Sequence, residues 1–300
     1  MPLVHVNASG QKIALHGSAT EQLSDTIAQA CATRGPTIIM VHGFKYAPYN
    51  PAHCPHRHLF HAKGWPADLG MAQHDTLGIA FGWEARGKLA TVYTTALEQA
   101  QNLARLVKSL RPRGPVHLIG HSLGATLCLA ALPYLNKGDI GRIVLLSGAA
   151  HLGLARHALD TPAGRSSEVI HVTSRENKLF DLGFEHLIPC TGSIARGIAR
   201  PQAVQLHIDC AKTLDGLADL GYPIAAPRRR ICHWSSYTRP GVMALNAALL
   251  TGRLPVSVLK CALPAPAAPR NIKLPYFLGG KTRSNKQTNL NIGPIHDPAY

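Results

Sequence analysis

The apolar residues of this chain gather in short uninterrupted runs that alternate with amphipathic stretches. Runs rich in Val, Ile and Leu are typical of strands that are buried on both faces of a parallel sheet. Residues 94–110 instead repeat apolar positions every three or four residues, which predicts a helix. This alternation predicts an α/β fold: a doubly wound, mostly parallel sheet flanked by helices. The predicted central strands are Pro36–His42, Leu77–Phe81, Val116–Ile119, Arg142–Leu146 and Glu168–Thr173.

The pattern also divides the chain into three regions. Residues 1–35 are predicted to be an N-terminal lead-in with short strands at Val4–Val6 and Lys12–Leu15. Residues 36–252 form the predicted α/β domain, which is interrupted at about 45–74 by a Pro-containing loop insertion without periodicity. Residues 253–300 are predicted to be a basic, Pro-rich C-terminal extension that is extended or disordered.

The composition narrows the class of protein. With 46% hydrophobic and 16% charged residues among 300, the chain is predicted to be globular and soluble. No apolar run reaches the length of about 18 residues that a membrane span requires. The N-terminus does not resemble a signal peptide, and the seven scattered cysteines do not suggest a disulfide framework. We therefore predict a cytoplasmic location.

The net charge of +15 indicates which partners to consider. Such a field favours nucleic acid, acidic lipid or a negatively charged substrate. The densest basic clusters are Arg228–Arg230 and the C-terminal tail, and neither belongs to a nucleic-acid-binding motif. We therefore predict no specific nucleic-acid partner, and leave open a weak association with an anionic membrane surface.

The strongest chemical signal is the stretch Gly120–Gly124, which fits the pattern G-x-S-x-G. An apolar run that predicts a strand precedes it, and an apolar segment suited to a helix follows it. In this context Ser122 is predicted to lie on a strained turn with an exposed Oγ atom. The N–H group of Leu123, at the start of the helix, would point towards the same site. This arrangement resembles the nucleophile elbow of the α/β-hydrolase superfamily.

The resemblance implies the other parts of the site. A strand that ends in His-Gly-X supplies the second oxyanion donor in that superfamily, here the N–H group of Phe44. The general base is a late histidine on a loop before the last helix, which corresponds to His233. His207 lies inside an apolar run, which is typical of a core histidine. His121 neighbours Ser122 and is predicted to be a pocket wall instead.

The acid that completes the triad is the least regular part of the pattern. The superfamily places an Asp or Glu three to five residues beyond the strand that ends at Thr173, and those positions hold Glu176, Asn177 and Lys178. An amide supports an imidazolium weakly and a lysine opposes it. We predict Asp181 as the acid, with Glu176 as the alternative. Asp209 and Asp215 are the remaining candidates.

Three further residues are predicted to lie in the substrate pocket: His42, His121 and Trp83. The resemblance implies no cofactor. The loop insertion holds several histidines and a cysteine, but their spacing does not fit a standard zinc site, so no metal is predicted. We interpret this loop as a lid or pocket wall. The residues of the loop that were considered as metal ligands are His53, Cys54, His56, His58 and His61.

The resemblance thus implies a serine hydrolase that acts on a small-molecule or lipid carboxylic ester through a Ser-His-Asp triad and an acyl-enzyme. A thioesterase or an acyltransferase would use the same groups, so both stay open. A catalytically silent hydrolase fold that binds an anionic partner is the alternative from another class.

Overall fold

The computed structural model describes residues 2–18, 22–30, 34–188 and 192–264. It contains an eight-stranded sheet in the order β2-β1-β4-β3-β5-β6-β7-β8. Every neighbouring pair of strands is parallel except β1 and β2, which are antiparallel. The predicted α/β fold with a mostly parallel sheet is confirmed. The strands are β1 Leu3–Ser9, β2 Lys12–Leu15, β3 Thr37–Val41, β4 Leu77–Trp83, β5 Val116–His121, β6 Ile140–Leu146, β7 Glu168–Thr173 and β8 Ala203–His207.

Helices cover both faces of this sheet and leave a hydrophobic core on each side. The alternation along β3 shows how one strand serves both cores: Ile39 and Val41 belong to one, and Ile38 and Met40 to the other. The helices are α1 Leu23–Ala30, α2 Pro55–His58, α3 Trp65–Asp68, α4 Leu89–Leu110, α5 Leu123–Ala131, α6 Leu152–Asp160, α7 Pro162–Ser166, α8 Lys178–Leu187, α9 Ala211–Asp219, α10 Ser235–Thr238, α11 Val242–Leu250 and α12 Val256–Ala262. No helix in these ranges is long and apolar enough to span a membrane.

The N-terminal segment contributes one edge of the sheet. Strand β1 pairs in parallel with β4, and β2 pairs with β1 as the outermost strand. Both short strands predicted in residues 1–35 are therefore present. Val4, Val6 and Ala8 are buried in the core that lies under α4, because alternate residues of β1 face inward.

The loop insertion at 45–74 is compact, although no periodicity predicted its shape. It contains the one-turn helices α2 and α3, each with a proline in its first turn, where the missing N–H group is not needed. Phe60, just after α2, and Trp65, the first residue of α3, are fully buried and meet edge to face, with ring centroids 5.6 Å apart. Apolar burial rather than regular structure therefore holds the insertion together.

The C-terminal region starts differently from the prediction. Where extended chain was expected after residue 253, residues Val256–Ala262 form α12. Val256 and Leu259 are buried there because their spacing of three places both on one face of the helix. The rest of the predicted extension, residues 265–300, lies outside the described residues.

Candidate active site

Ser122 lies at the turn between β5 and α5, with φ 54° and ψ −121°. A positive φ is unfavourable for a residue that carries a Cβ atom, so the surrounding packing must hold this conformation. The flanking glycines explain how the turn fits. A Cβ atom on Gly124 would lie 2.6 Å from the carbonyl oxygen of Val41, and one on Gly120 would lie 2.8 Å from the backbone of Gly124. The turn therefore requires glycine on both sides of Ser122.

The end of β3 passes against this turn. A Cβ atom on Gly43 would lie only 2.6 Å from the Cβ atom of Ser122, so the backbone of residues 42–44 runs directly beside the serine. Phe44 and Leu123, the two predicted oxyanion donors, both border the cavity into which Ser122 opens. The structure thus brings these three residues together.

The cavity has a volume of about 570 Å³ and is mostly apolar. Helix α8 supplies one wall, and three of its apolar residues on that wall are notably exposed: Leu179 at 56%, Phe180 at 43% and Leu187 at 59%. Such a pocket is suited to an apolar group with a few polar atoms to orient it. Phe184 of the same helix also lines the cavity, and its other apolar walls include Phe44, Leu89, Leu123 and Ala149.

His233 borders the same cavity, and its partner is an amide. The Nδ1 atom of His233 lies 2.6 Å from the Oδ1 atom of Asn177. The Nδ2 group of Asn177 in turn donates to the Oδ1 atom of Asp181 at 2.7 Å. Since the amide nitrogen is used in the second bond, its oxygen must accept a hydrogen from His233 in the first. His233 therefore carries its hydrogen on Nδ1, which leaves the lone pair of Nε2 free.

Asp181 is thus one side chain further from the imidazole than the predicted triad requires. Burial raises the pKa of Asp181 to about 6, while the hydrogen bond from Asn177 opposes the shift. Asn177, an amide where the superfamily pattern has an acid, makes the direct contact. Its position in the loop after β7, where the superfamily carries its acid, was the signal that could have identified it.

The alternative acid, Glu176, lies in a different network. Its carboxylate forms a buried ion pair with Arg239, which also pairs with Asp209 at 2.8 Å. The backbone carbonyl of Glu176 accepts a hydrogen bond of 2.9 Å from the N–H group of Cys232. This network therefore joins the loop that carries Asn177 to the loop that carries His233. Asp215, the remaining candidate, is exposed on α9.

Two neighbours hold His233 in place, one at its ring and one at its backbone. The ring stacks on Phe180 with centroids 4.5 Å apart, and the backbone carbonyl of His233 accepts a hydrogen bond of 3.0 Å from Nε2 of His121. Burial, with smaller contributions from His121 and Lys45, lowers the pKa of His233 to about 2. A neutral imidazole at physiological pH is the form that can accept a proton.

The predicted pocket residues separate into two groups. His121 lies on the cavity wall, whereas His42 and Trp83 are fully buried in the core. They hold each other there: Nε2 of His42 accepts from the N–H group of Trp83, and the indole donates to the carbonyl of His42, both at 3.1 Å. His207, the other histidine considered, is exposed at the end of β8 and contacts Thr173.

The histidines of the loop insertion, which were considered as metal ligands, lie in different surroundings. His53 and His58 border the cavity, and Nε2 of His56 contacts Oδ1 of Asn7 at 2.8 Å. Within the described part of the chain, no three His, Cys, Asp or Glu residues are grouped so as to hold a metal ion. The loop thus forms part of the cavity wall beside Ser122.

With this geometry established, comparison with known proteins identifies the family. Residues 38–281 match the model of a family described as the alpha/beta hydrolase family. The chain belongs to this family. No curated protein matches the sequence of this hydrolase.

Solved structures similar to this alpha/beta hydrolase are distant from it. The mature lipase BlEst2 of Bacillus licheniformis is 13% identical, with 58% of this chain and 82% of that chain covered and a TM-score of 0.37. A lipase-esterase related protein of Clostridium acetobutylicum is 12% identical, with coverages of 74% and 94% and a TM-score of 0.38. The thioesterase RedJ of Streptomyces coelicolor is 13% identical, with coverages of 59% and 79% and a TM-score of 0.33.

Proposed function

We propose that this hydrolase cleaves carboxylic esters through Ser122 as nucleophile and His233 as general base, with Asn177 in the place of the usual triad acid. One observation supports this most directly: the amide of Asn177 holds His233 in the tautomer whose Nε2 atom accepts a proton, beside the cavity that Ser122 borders. A nucleophilic serine needs such a base.

The reaction would proceed in two steps. His233 takes the proton of Ser122 through Nε2 while Oγ attacks the ester carbon, and the N–H groups of Phe44 and Leu123 donate to the oxyanion. The intermediate then expels the alcohol, which takes the proton from His233. Water, activated by the same imidazole, attacks the acyl-enzyme and releases the carboxylic acid and free Ser122. This sequence uses no cofactor or metal.

An amide in the acid position changes the energetics but not the sequence of steps. Asn177 maintains the tautomer and orientation of His233, but it carries no charge to stabilise the imidazolium that forms during attack. Asp181, ionised above its pKa of about 6, supplies a negative charge one side chain away. We therefore propose that Asp181 acts through Asn177.

The apolar cavity walls favour a substrate with an apolar acyl group, either a small-molecule or a lipid ester.

A cytoplasmic location for the hydrolase is also part of this proposal.

The decisive experiment is labelling with a fluorophosphonate probe, followed by peptide mapping. The wild type should be labelled on the peptide that contains Ser122, and not at Ser147, the other serine on the cavity wall. Ser122→Ala and His233→Ala should lose labelling, whereas Ser109→Ala, which is exposed near the C-terminal end of α4 and outside the cavity lining, should retain it. A folded wild type that is not labelled would contradict the proposal and favour a binding protein that uses its basic surface.

A further inference from the structure

A second cavity, of about 390 Å³, lies beside the proposed active site. The two cavities share Trp234, which follows His233 directly and is 50% exposed. Arg228 and Arg229, two of the three residues of the basic cluster Arg228–Arg230, line the second cavity. The cavity therefore places positive charge next to the residue proposed as the general base.

These arginines are available to an anion. The side chains of Arg228 and Arg229 are exposed, and neither forms an ion pair with any residue in the described ranges. The one carboxylate on the cavity wall, that of Glu176, is already occupied. It pairs with Arg239, and its Oε1 atom accepts from the backbone N–H group of Arg229 at 3.3 Å. The lining thus carries a net positive charge.

The arginines of the second cavity lie close to the proposed general base. Arg229 lies four positions before His233, so their Cα atoms are at most about 14 Å apart even if the chain is fully extended. A substrate whose acyl group lies beside Ser122 would extend its leaving group past Trp234 to the arginines.

We propose that the second cavity binds a phosphate group carried by the leaving alcohol or thiol of the substrate. This rests on the proposed function, because the leaving group takes its proton from His233 after the carbonyl–oxygen or carbonyl–sulfur bond breaks. The site is concave and of small-molecule size, and arginine forks match phosphate oxygens. An extended polyanion such as nucleic acid would instead require a stripe of cations along a surface.

The test compares two pairs of substrates with the same acyl group. Hexanoyl-coenzyme A is measured against S-hexanoyl-N-acetylcysteamine, a thioester without phosphate. Hexanoylglycerol 3-phosphate is measured against monohexanoylglycerol. The phosphate-bearing member should have a kcat/KM at least about fivefold higher in one pair, as expected for charge-assisted hydrogen bonds to phosphate. The pair that shows the preference identifies whether the phosphate belongs to a thiol carrier or to a phosphoglyceride.

Matched variants connect this preference to the cavity. In Arg228→Gln/Arg229→Gln, the ratio of kcat/KM between the members of the preferred pair should fall about fivefold or more, to a value near 1. Arg34→Gln/Arg156→Gln makes the same charge change at two other exposed arginines and should keep the wild-type ratio. An unchanged ratio in the first double variant would overturn the assignment of the cavity.

The outcomes separate this inference from the proposed function. If the protein is labelled at Ser122 but neither phosphate-bearing substrate exceeds its partner about fivefold, the inference is wrong and the proposed hydrolase activity stands. If a folded protein is neither labelled nor hydrolyses any of the four substrates, both are wrong.

Discussion

The imidazole of His233 is held by the amide of Asn177, with 2.6 Å between Nδ1 and Oδ1. Asn177 also donates to Asp181 at 2.7 Å, so the carboxylate that the sequence suggested as the triad acid is connected to the histidine through an amide. This arrangement separates two tasks that one aspartate usually performs. The amide fixes the tautomer of the base, and the charge lies one side chain further away.

Replacement of Asn177 tests the first task. Asn177→Ala removes the acceptor that holds the Nδ1 hydrogen, so kcat should fall by roughly tenfold to a hundredfold in an ester assay. Asn177→Asp places a negative charge against the imidazole and also beside Asp181, whose hydrogen bond from the amide is lost. Both changes raise the pKa of Asp181, so the acidic limb that this carboxylate sets should shift to higher pH. Asn136→Asp, an exposed surface change, is the control. An identical pH profile in Asn177→Asp and wild type would contradict a direct role for this residue.

Asp181 should make the kcat/KM of the wild-type enzyme depend on pH near neutrality. Burial raises the pKa of this carboxyl to about 6, so kcat/KM should increase as the pH rises through about 6 and the carboxylate forms. The pKa of His233, about 2, lies far below this range and does not produce the limb. Asp181→Asn should therefore remove this rise in kcat/KM near pH 6, and should lower the value of kcat/KM reached at pH 8 several-fold. A limb near pH 6 that persists in the variant would show that another group titrates.

The glycines beside Ser122 provide a test of the turn. Gly124→Ala would place a Cβ atom 2.6 Å from the carbonyl oxygen of Val41, so the free energy of unfolding should fall by about 1–3 kcal/mol. Fluorophosphonate labelling should fall as well, because the strained turn must shift. Gly153→Ala, in α6, meets no atom within 4 Å and should instead stabilise the protein by about 0.5–1 kcal/mol. Urea unfolding of both variants measures the difference.

Buried histidines should make this hydrolase sensitive to acid. Burial lowers the pKa of His117 to about 4 from 6.5, so the unfolded chain binds more protons than the folded one between these values. Stability is therefore complete above pH 6.5 and is lost as the pH falls towards 4, by up to about 1.4 kcal/mol per pH unit for each such histidine. Five others have a pKa lowered to about 4 or below: His42, His56, His121, His171 and His233. Burial also lowers the pKa of four more: His5, His16, His151 and His207.

The thermal midpoint should accordingly decrease between pH 7 and pH 5, measured by calorimetry. His117→Asn removes one of these groups, and its midpoint should decrease less steeply over the same range. A variant with the wild-type slope would show that His117 does not contribute.

Much of the fold could be predicted because its signals are local. The apolar runs that became β3 to β7 are long enough to be read without knowledge of their neighbours, and the spacing along α4 identifies its buried face. The G-x-S-x-G pattern is local too, since the geometry of a tight turn depends on the residues within it. The compact form of residues 45–74 depends on where Phe60 and Trp65 find apolar neighbours, and nothing in the local pattern shows that.

The sequence by itself determined the order of strands and helices, the turn that carries Ser122 and the loop that carries His233, because each depends on residues that are close along the chain. Only the tertiary structure decided which side chain meets the imidazole. Glu176 and Asn177 fall where the superfamily places its acid, and Asp181 follows four residues after Asn177. In the structure the buried Arg239 binds Glu176, and the geometry of the loop directs Asn177 to His233. Such a choice depends on an arginine more than sixty positions away, and long-range pairing of this kind leaves no periodic signal in a sequence.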